Sequence, residues 1–173
     1  METKYLEGKN SIRITWHWPV GVEQVYILPQ EKLYTLQEYK KFGGYIVKKQ
    51  PGIFTYKIHP ILPEGGSTPT TEPHGEVSFV CKTEIDYLVT KKSGFFELAL
   101  YSEYDVAEDV FCYAKNDKFI YFFGEKLAAG KPILRIIKAD ADENLRVFIP
   151  EQNSVLYTLN KCDSMRRPLL MKG

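Results

Sequence analysis

The sequence predicts an all-β fold, and three observations carry that prediction. Apolar residues fall on every second position in Ile12-Arg13-Ile14-Thr15-Trp16-His17-Trp18, a run that Pro19 stops, and this period marks a strand with one buried face. The alternation recurs in Phe54-Thr55-Tyr56-Lys57-Ile58 and in Leu145-Arg146-Val147-Phe148-Ile149, with turn residues between such runs at short intervals. Aromatic residues make up 14% of the chain, a share that suits sheets, whose pleated faces pack large rings well.

Composition bounds the class. The 173 residues suffice for one large β domain or two smaller modules, and a hydrophobic fraction of 44% is ample for a packed core. With 23 basic and 22 acidic residues interspersed, net charge +1, there is no long-range field to draw in a polyanion, which disfavours nucleic-acid binding through phosphate neutralisation. Cys81, Cys112 and Cys162 lie far apart without CxxC spacing, so they are expected to be three small buried hydrophobes in a reducing compartment rather than zinc ligands. A bridge between Cys81 and Cys162 is the alternative. No apolar stretch follows the charged start Met1-Glu2-Thr3-Lys4, and no run approaches the length of a membrane span. The expectation is a cytoplasmic chain with no membrane partner, whether whole or a fragment of something longer.

In chain order, strands are expected at 10–18 and 22–29. The one helical signal follows, Thr35-Leu36-Gln37-Glu38, which has the capping-box form; Leu36, Tyr39 and Phe42 continue at helical spacing, and Gly43-Gly44 supplies a left-handed exit. Further strands are expected at 44–49, 53–61 and 76–81. The intervening 62–75 is crowded with proline, glycine and threonine and is expected to be an exposed hairpin loop, with an interdomain linker as the competing view. The second half offers seven strands, at 83–90, 94–101, 109–115, 118–123, 132–138, 144–150 and 154–160. Gly94, Gly124, Gly130, Asn116-Asp117 and 140–143 sit at their junctions.

These residues carry a resemblance. Ile12-x-Ile14-x-Trp16-x-Trp18-Pro19 resembles the second strand of a fibronectin type III module, with Trp16 in the core; Val25-Tyr26-Ile27 resembles its third strand, and Phe54-x-Tyr56-x-Ile58-x-Pro60-Ile61 its penultimate one. Phe54 stands where a corner tyrosine is usual. The chain is also similar to tandem fibronectin-like modules that follow zinc-ribbon segments in multi-domain bacterial proteins, whose first module opens with a tryptophan-proline strand and a Tyr-x-x-x-Gly-Gly turn, here Tyr39 to Gly44. The resemblance implies two tandem immunoglobulin-like (fibronectin type III-like) β-sandwiches with one short helix, at 1–82 and 83–173. It implies binding or spacing rather than chemistry.

The search for chemistry gives a consistent expectation. Only His17, His59 and His74 are present; His17 and His59 alternate with core positions and are expected to point outward, and His74 falls in the loop. No nucleophile, metal-ligand or phosphate-loop motif is found, so no catalytic residue, metal or cofactor is expected. Asp140, Asp142 and Glu143 crowd one turn but lack the glycine and distant glutamate of a calcium loop. The expected function is a non-enzymatic interaction or spacer module that binds a protein partner within a larger bacterial assembly. The candidate edge is Tyr45, Ile46, Val47, Lys48 and Lys49, where the lysines resemble charges that guard a sheet edge and Tyr45 and Val47 would receive a partner's alternate side chains. The alternative is a carbohydrate-binding accessory module of a glycoside-degrading enzyme, with Trp18, Tyr26, Tyr34, Tyr39 and Tyr45 as stacking rings.

Overall fold

The computed structural model describes residues 2–164. The chain divides into two compact units between Cys81 and Lys82. The first contains β1 (Lys4–Glu7), β2 (Ser11–Thr15), β3 (Gln24–Leu28), β4 (Lys32–Thr35), α1 (Leu36–Phe42), β5 (Tyr45–Lys48), β6 (Gly52–Ile61) and β7 (Gly75–Cys81). The strands form two antiparallel sheets, β1-β2-β5 and β4-β3-β6-β7. Alternation sets the faces: Ile12, Ile14 and Trp16 from β2 and its extension, Val25 and Ile27 from β3, and Val77, Phe79 and Cys81 from β7 join one buried cluster. A slip of β2 by one residue would exchange Ile12 and Ile14 for Arg13 and Thr15 in that core, so the register is fixed by burial.

Two strands in this unit lie outside the sequence expectation. All four residues of β1 are exposed, and β4 buries Tyr34 alone; edge strands with so little buried surface leave no apolar period to read. The expected loop at 62–75 joins β6 to β7, which pair along their length, so it is a hairpin connection. It holds a 3-10 turn at Pro63–Gly65 and folds back along β6, with the Thr70 N–H donating to Pro60 C=O at 2.9 Å and the His74 N–H to Ile58 C=O at 2.7 Å. That return path overturns one expectation. His59 does not point to solvent but is buried, because the loop covers the end of β6 and its Thr70 carbonyl meets His59 Nδ1 at 2.8 Å.

The second unit contains β8 (Thr83–Lys92), β9 (Phe95–Tyr101), β10 (Cys112–Lys115), β11 (Phe119–Phe122), β12 (Ile133–Lys138), β13 (Leu145–Phe148) and β14 (Tyr157–Lys161). Its sheets are β12-β9-β8-β14 and β11-β10-β13. All pairings are antiparallel except that of β14 with β8. Ile85, Leu98, Leu100, Val106, Phe111 and Leu127 are the most deeply buried of its core. The units share neighbour relations: in each, the fifth, second and first strands adjoin, as do the fourth, third and sixth. They differ in the seventh, since β7 lies beside β6 whereas β14 lies beside β8. The chain is thus all-β, with several antiparallel sheets and one α-helix among the described residues.

Candidate functional site

The local structure that sets β5 in place begins at Thr35. Its hydroxyl accepts from the Glu38 N–H at 3.1 Å, while the Glu38 carboxylate accepts from the Thr35 N–H at 2.8 Å, a reciprocal cap that starts α1. The Thr35 backbone bond holds the Glu38 carboxyl below the usual carboxylate range. Gly43 ends the helix at φ 67°, its N–H returning to Tyr39 C=O, the left-handed turn that glycine adopts without strain. Gly44 then passes so close to β2 that a Cβ would sit 2.7 Å from the Ile14 carbonyl oxygen. Only a residue without a side chain lets β5 enter the ladder there.

Because residue 43 belongs to the helix cap, β5 cannot pair with the end of β2, and a side chain takes its place. The Trp16 N–H donates to the Tyr39 hydroxyl at 3.0 Å, and that hydroxyl donates to Trp16 C=O at 2.6 Å. One phenol thus serves both backbone groups that a neighbouring strand would have served. The Tyr39 ring packs on Trp16 at 4.7 Å and on Trp18 at 5.3 Å between centroids, and Trp18 Nε1 donates to Val22 C=O at 2.6 Å.

Strand β5 pairs only with β2 and so ends its sheet. The Lys49 N–H donates to Asn10 C=O at 3.0 Å, and antiparallel bonds recur at every second pair. Tyr45, Val47 and Lys49 therefore spend their backbone groups on β2, and those of Ile46 and Lys48 point off the open edge. The side chains divide the same way, with Ile46 and Lys48 exposed and Val47 half-buried. Tyr45 is not available to a partner's side chain, contrary to expectation: it is buried, its ring 5.1 Å from Tyr34 and 6.3 Å from Tyr56. Lys49 forms an ion pair with Glu7. A shallow crevice of about 10 Å³, room for roughly one water, lies beside the edge, lined by Val47 and Lys48 with Ile12, Phe54, Tyr56 and Phe79 among its walls. That is far too little space for a small-molecule ligand.

The proposed sugar platform is dispersed. Tyr34 is buried, its hydroxyl donating to Gly44 C=O at 2.9 Å, and burial pushes the Tyr34 and Tyr45 hydroxyls above the usual tyrosine range. Neither ring can stack on a ligand, because each is consumed by the core. Trp18 and Tyr39 are half-buried against each other and Trp16, and Tyr26 is half-buried on β3. The structure brings Trp18 and Tyr39 together and places Tyr34 and Tyr45 inside.

The titratable groups do not converge. Among the described residues no group of three or more His, Cys, Asp and Glu is placed to hold a metal ion. His17 is exposed, and its carbonyl meets His74 Nε2 at 2.7 Å, which ties the loop down. In the 140–143 turn the Lys91 ammonium donates to the Ala141 and Glu143 carbonyls at 2.9 and 3.0 Å, so a protein cation already occupies those oxygens. All three cysteines are free thiols, and burial raises each above the usual thiol range. The dual hydroxyl bond of Tyr39 is the feature sequence reasoning missed; helical spacing shows the ring, but nothing in the sequence shows that β5 stops short of Trp16. Compared with family models, with curated proteins and with solved structures, the chain matches none of them.

Proposed function

We propose that the chain is a non-enzymatic interaction or spacer module of tandem fibronectin type III-like, immunoglobulin-like sandwiches, and that its first unit recognises a protein partner within a larger assembly by strand addition along β5. The arrangement of that unit supports the fold assignment. Relative to an immunoglobulin constant domain, with strands one, two, five and four against three, six and seven, its fourth strand has moved beside the third.

The observation that carries the functional proposal is the pair of residues Ile46 and Lys48, whose backbone groups face away from β2 on an unpaired edge. Main-chain groups of this kind accept an added strand. Proline at position 46 removes an outward donor without breaking a ladder bond. Pull-down from the native host with wild type and Ile46→Pro tests it. The expected result is a partner held by wild type and lost by an Ile46→Pro protein of unchanged unfolding midpoint. Capture that survives the substitution removes β5 from the mechanism, and retardation in polysaccharide gels without protein capture moves the function to carbohydrate.

A further inference from the structure

The second unit carries an edge of a different kind. Of the eight strands that end the four sheets of the described residues, β11 alone lacks a charged residue. It is also open to solvent: Phe119 is 63%, Ile120 62%, Tyr121 43% and Phe122 57% exposed. Natural sheet edges are blunted by charge, proline or a covering element, and β11 has none of these within the strand.

Its hydrogen-bond parity is fixed by one contact. The Phe123 N–H donates to Phe111 C=O at 3.1 Å, and in the register with β10 (Tyr113 opposite Tyr121, Lys115 opposite Phe119) the bonded pairs fall at Phe119, Tyr121 and Phe123. The backbone groups of Ile120 and Phe122 therefore point off the sheet. Their side chains share the face of Ala114 and Cys112, which they oppose and which are buried. The inward face of β11 thus overhangs the core uncovered.

We infer that β11 is a homodimerisation edge, on which the β11 of a second copy pairs antiparallel about a two-fold axis. Only an alignment that sets outward residues against outward residues forms bonds. The one that uses all of them places Ile120 opposite the partner's Phe122 and Phe122 opposite the partner's Ile120. That register makes four main-chain hydrogen bonds, gathers the four inward-facing apolar side chains, and puts Tyr121 opposite the partner's Tyr121 on the axis. It joins two three-stranded sheets into one of six.

The area fits a weak dimer. Aromatic side chains carry roughly 150–250 Å² each, so the exposed fractions of the three rings and Ile120 leave roughly 400–500 Å² per copy. Two copies cover up to about 800–1,000 Å², the lower bound for a specific interface. Association in the micromolar range or weaker follows, because interfaces of about twice this area span micromolar to picomolar.

Sedimentation equilibrium of the full chain across a concentration series tests the inference. The mass should rise from 20.0 kDa toward twice that value, and Ile120→Pro, which removes an outward donor and no ladder bond, should weaken association about tenfold or more without lowering the unfolding midpoint. Register is tested separately in a Cys162→Ser background: residues on the axis in a non-bonded pair lie about 4.5 Å apart between Cα atoms, within disulfide reach. Tyr121→Cys should therefore form a disulfide dimer on mild oxidation, and Lys118→Cys should not. A chain that remains at 20.0 kDa at its solubility limit overturns the inference. So does a dimer indifferent to Ile120→Pro that gives no Tyr121→Cys crosslink, open-ended polymer in place of a dimer, or a monomer whose β11 binds only a different protein.

Discussion

Replacing Tyr39 by phenylalanine isolates the bond that closes the end of β2. The substitution keeps the ring, and with it the contacts to Trp16 and Trp18, and deletes only the hydroxyl that serves both Trp16 backbone groups. Leaving a buried donor or acceptor unpaired costs about 1–3 kcal/mol each. Both bonds here are partly buried, so the lower end applies and the pair is worth about 2 kcal/mol. With a urea slope of about 1–1.5 kcal/mol/M for a unit of this size, the midpoint should fall by roughly 1.3–2 M. The assay is built into the chain: its 2 tryptophans, Trp16 and Trp18, both lie in the first unit, so indole fluorescence follows that unit alone. A Tyr39→Phe midpoint within about 0.2 M of wild type would refute the reasoning, since water or a shifted strand end would then be satisfying Trp16 equally well.

Other outcomes follow from the same structure. Trp16→Ala should cost about 3–5 kcal/mol by the same fluorescence assay, now read from Trp18, as deletion of a buried large aromatic does; an unchanged midpoint would place the ring outside the core. A glutamate-specific protease should cut first at Glu64 or Glu72, both exposed in the 62–75 loop, and a first cut within 10–30 would contradict the assignment. Because Glu38 titrates below its ordinary range, its capping contribution is present above the unfolded glutamate range and is lost as pH falls through the lowered value. The stability gap between wild type and Glu38→Gln should therefore be open at pH 7 and close in acid; a gap that widens in acid would reverse the sign. Native thiol labelling should mark Cys162, which is half-buried, ahead of the buried Cys81 and Cys112.

What could be read from the sequence was whatever burial stamps onto it. The period of β2, β3 and β7 survives because each sets one face into a core, and the capping box of α1 is a local pattern that tertiary structure left alone. His59 was misplaced because β6 is covered on both faces near its end, where His59, Pro60 and Ile61 are buried in succession, and alternation cannot report a loop that returns from ten residues away. Tyr34 and Tyr45 could stand in the alternative sugar platform because a tyrosine in a strand reads the same whether its hydroxyl meets solvent or the Gly44 carbonyl. The edge position of β11 was equally hidden. An apolar run of four carries no mark of whether one neighbour or two will pair with it, and that is decided by strands far along the chain.

The seventh strands set a schedule for synthesis. β14 completes its sheet by pairing with β8, with Asn160 and Asp86 in contact across 74 residues, whereas the longest strand pairings of the first unit span roughly half that, and loop closure over longer spans delays folding. On a ribosome releasing the chain from its N-terminus, β7 seals the first unit while the second is still being translated. The second unit, by contrast, holds β8 with one flank bare until nearly its whole length has emerged. A nascent chain that has emerged only as far as residue 156 presents a finished first unit joined to a four-stranded sheet lacking its last member, and that is the interval in which a holding chaperone has a surface to cover.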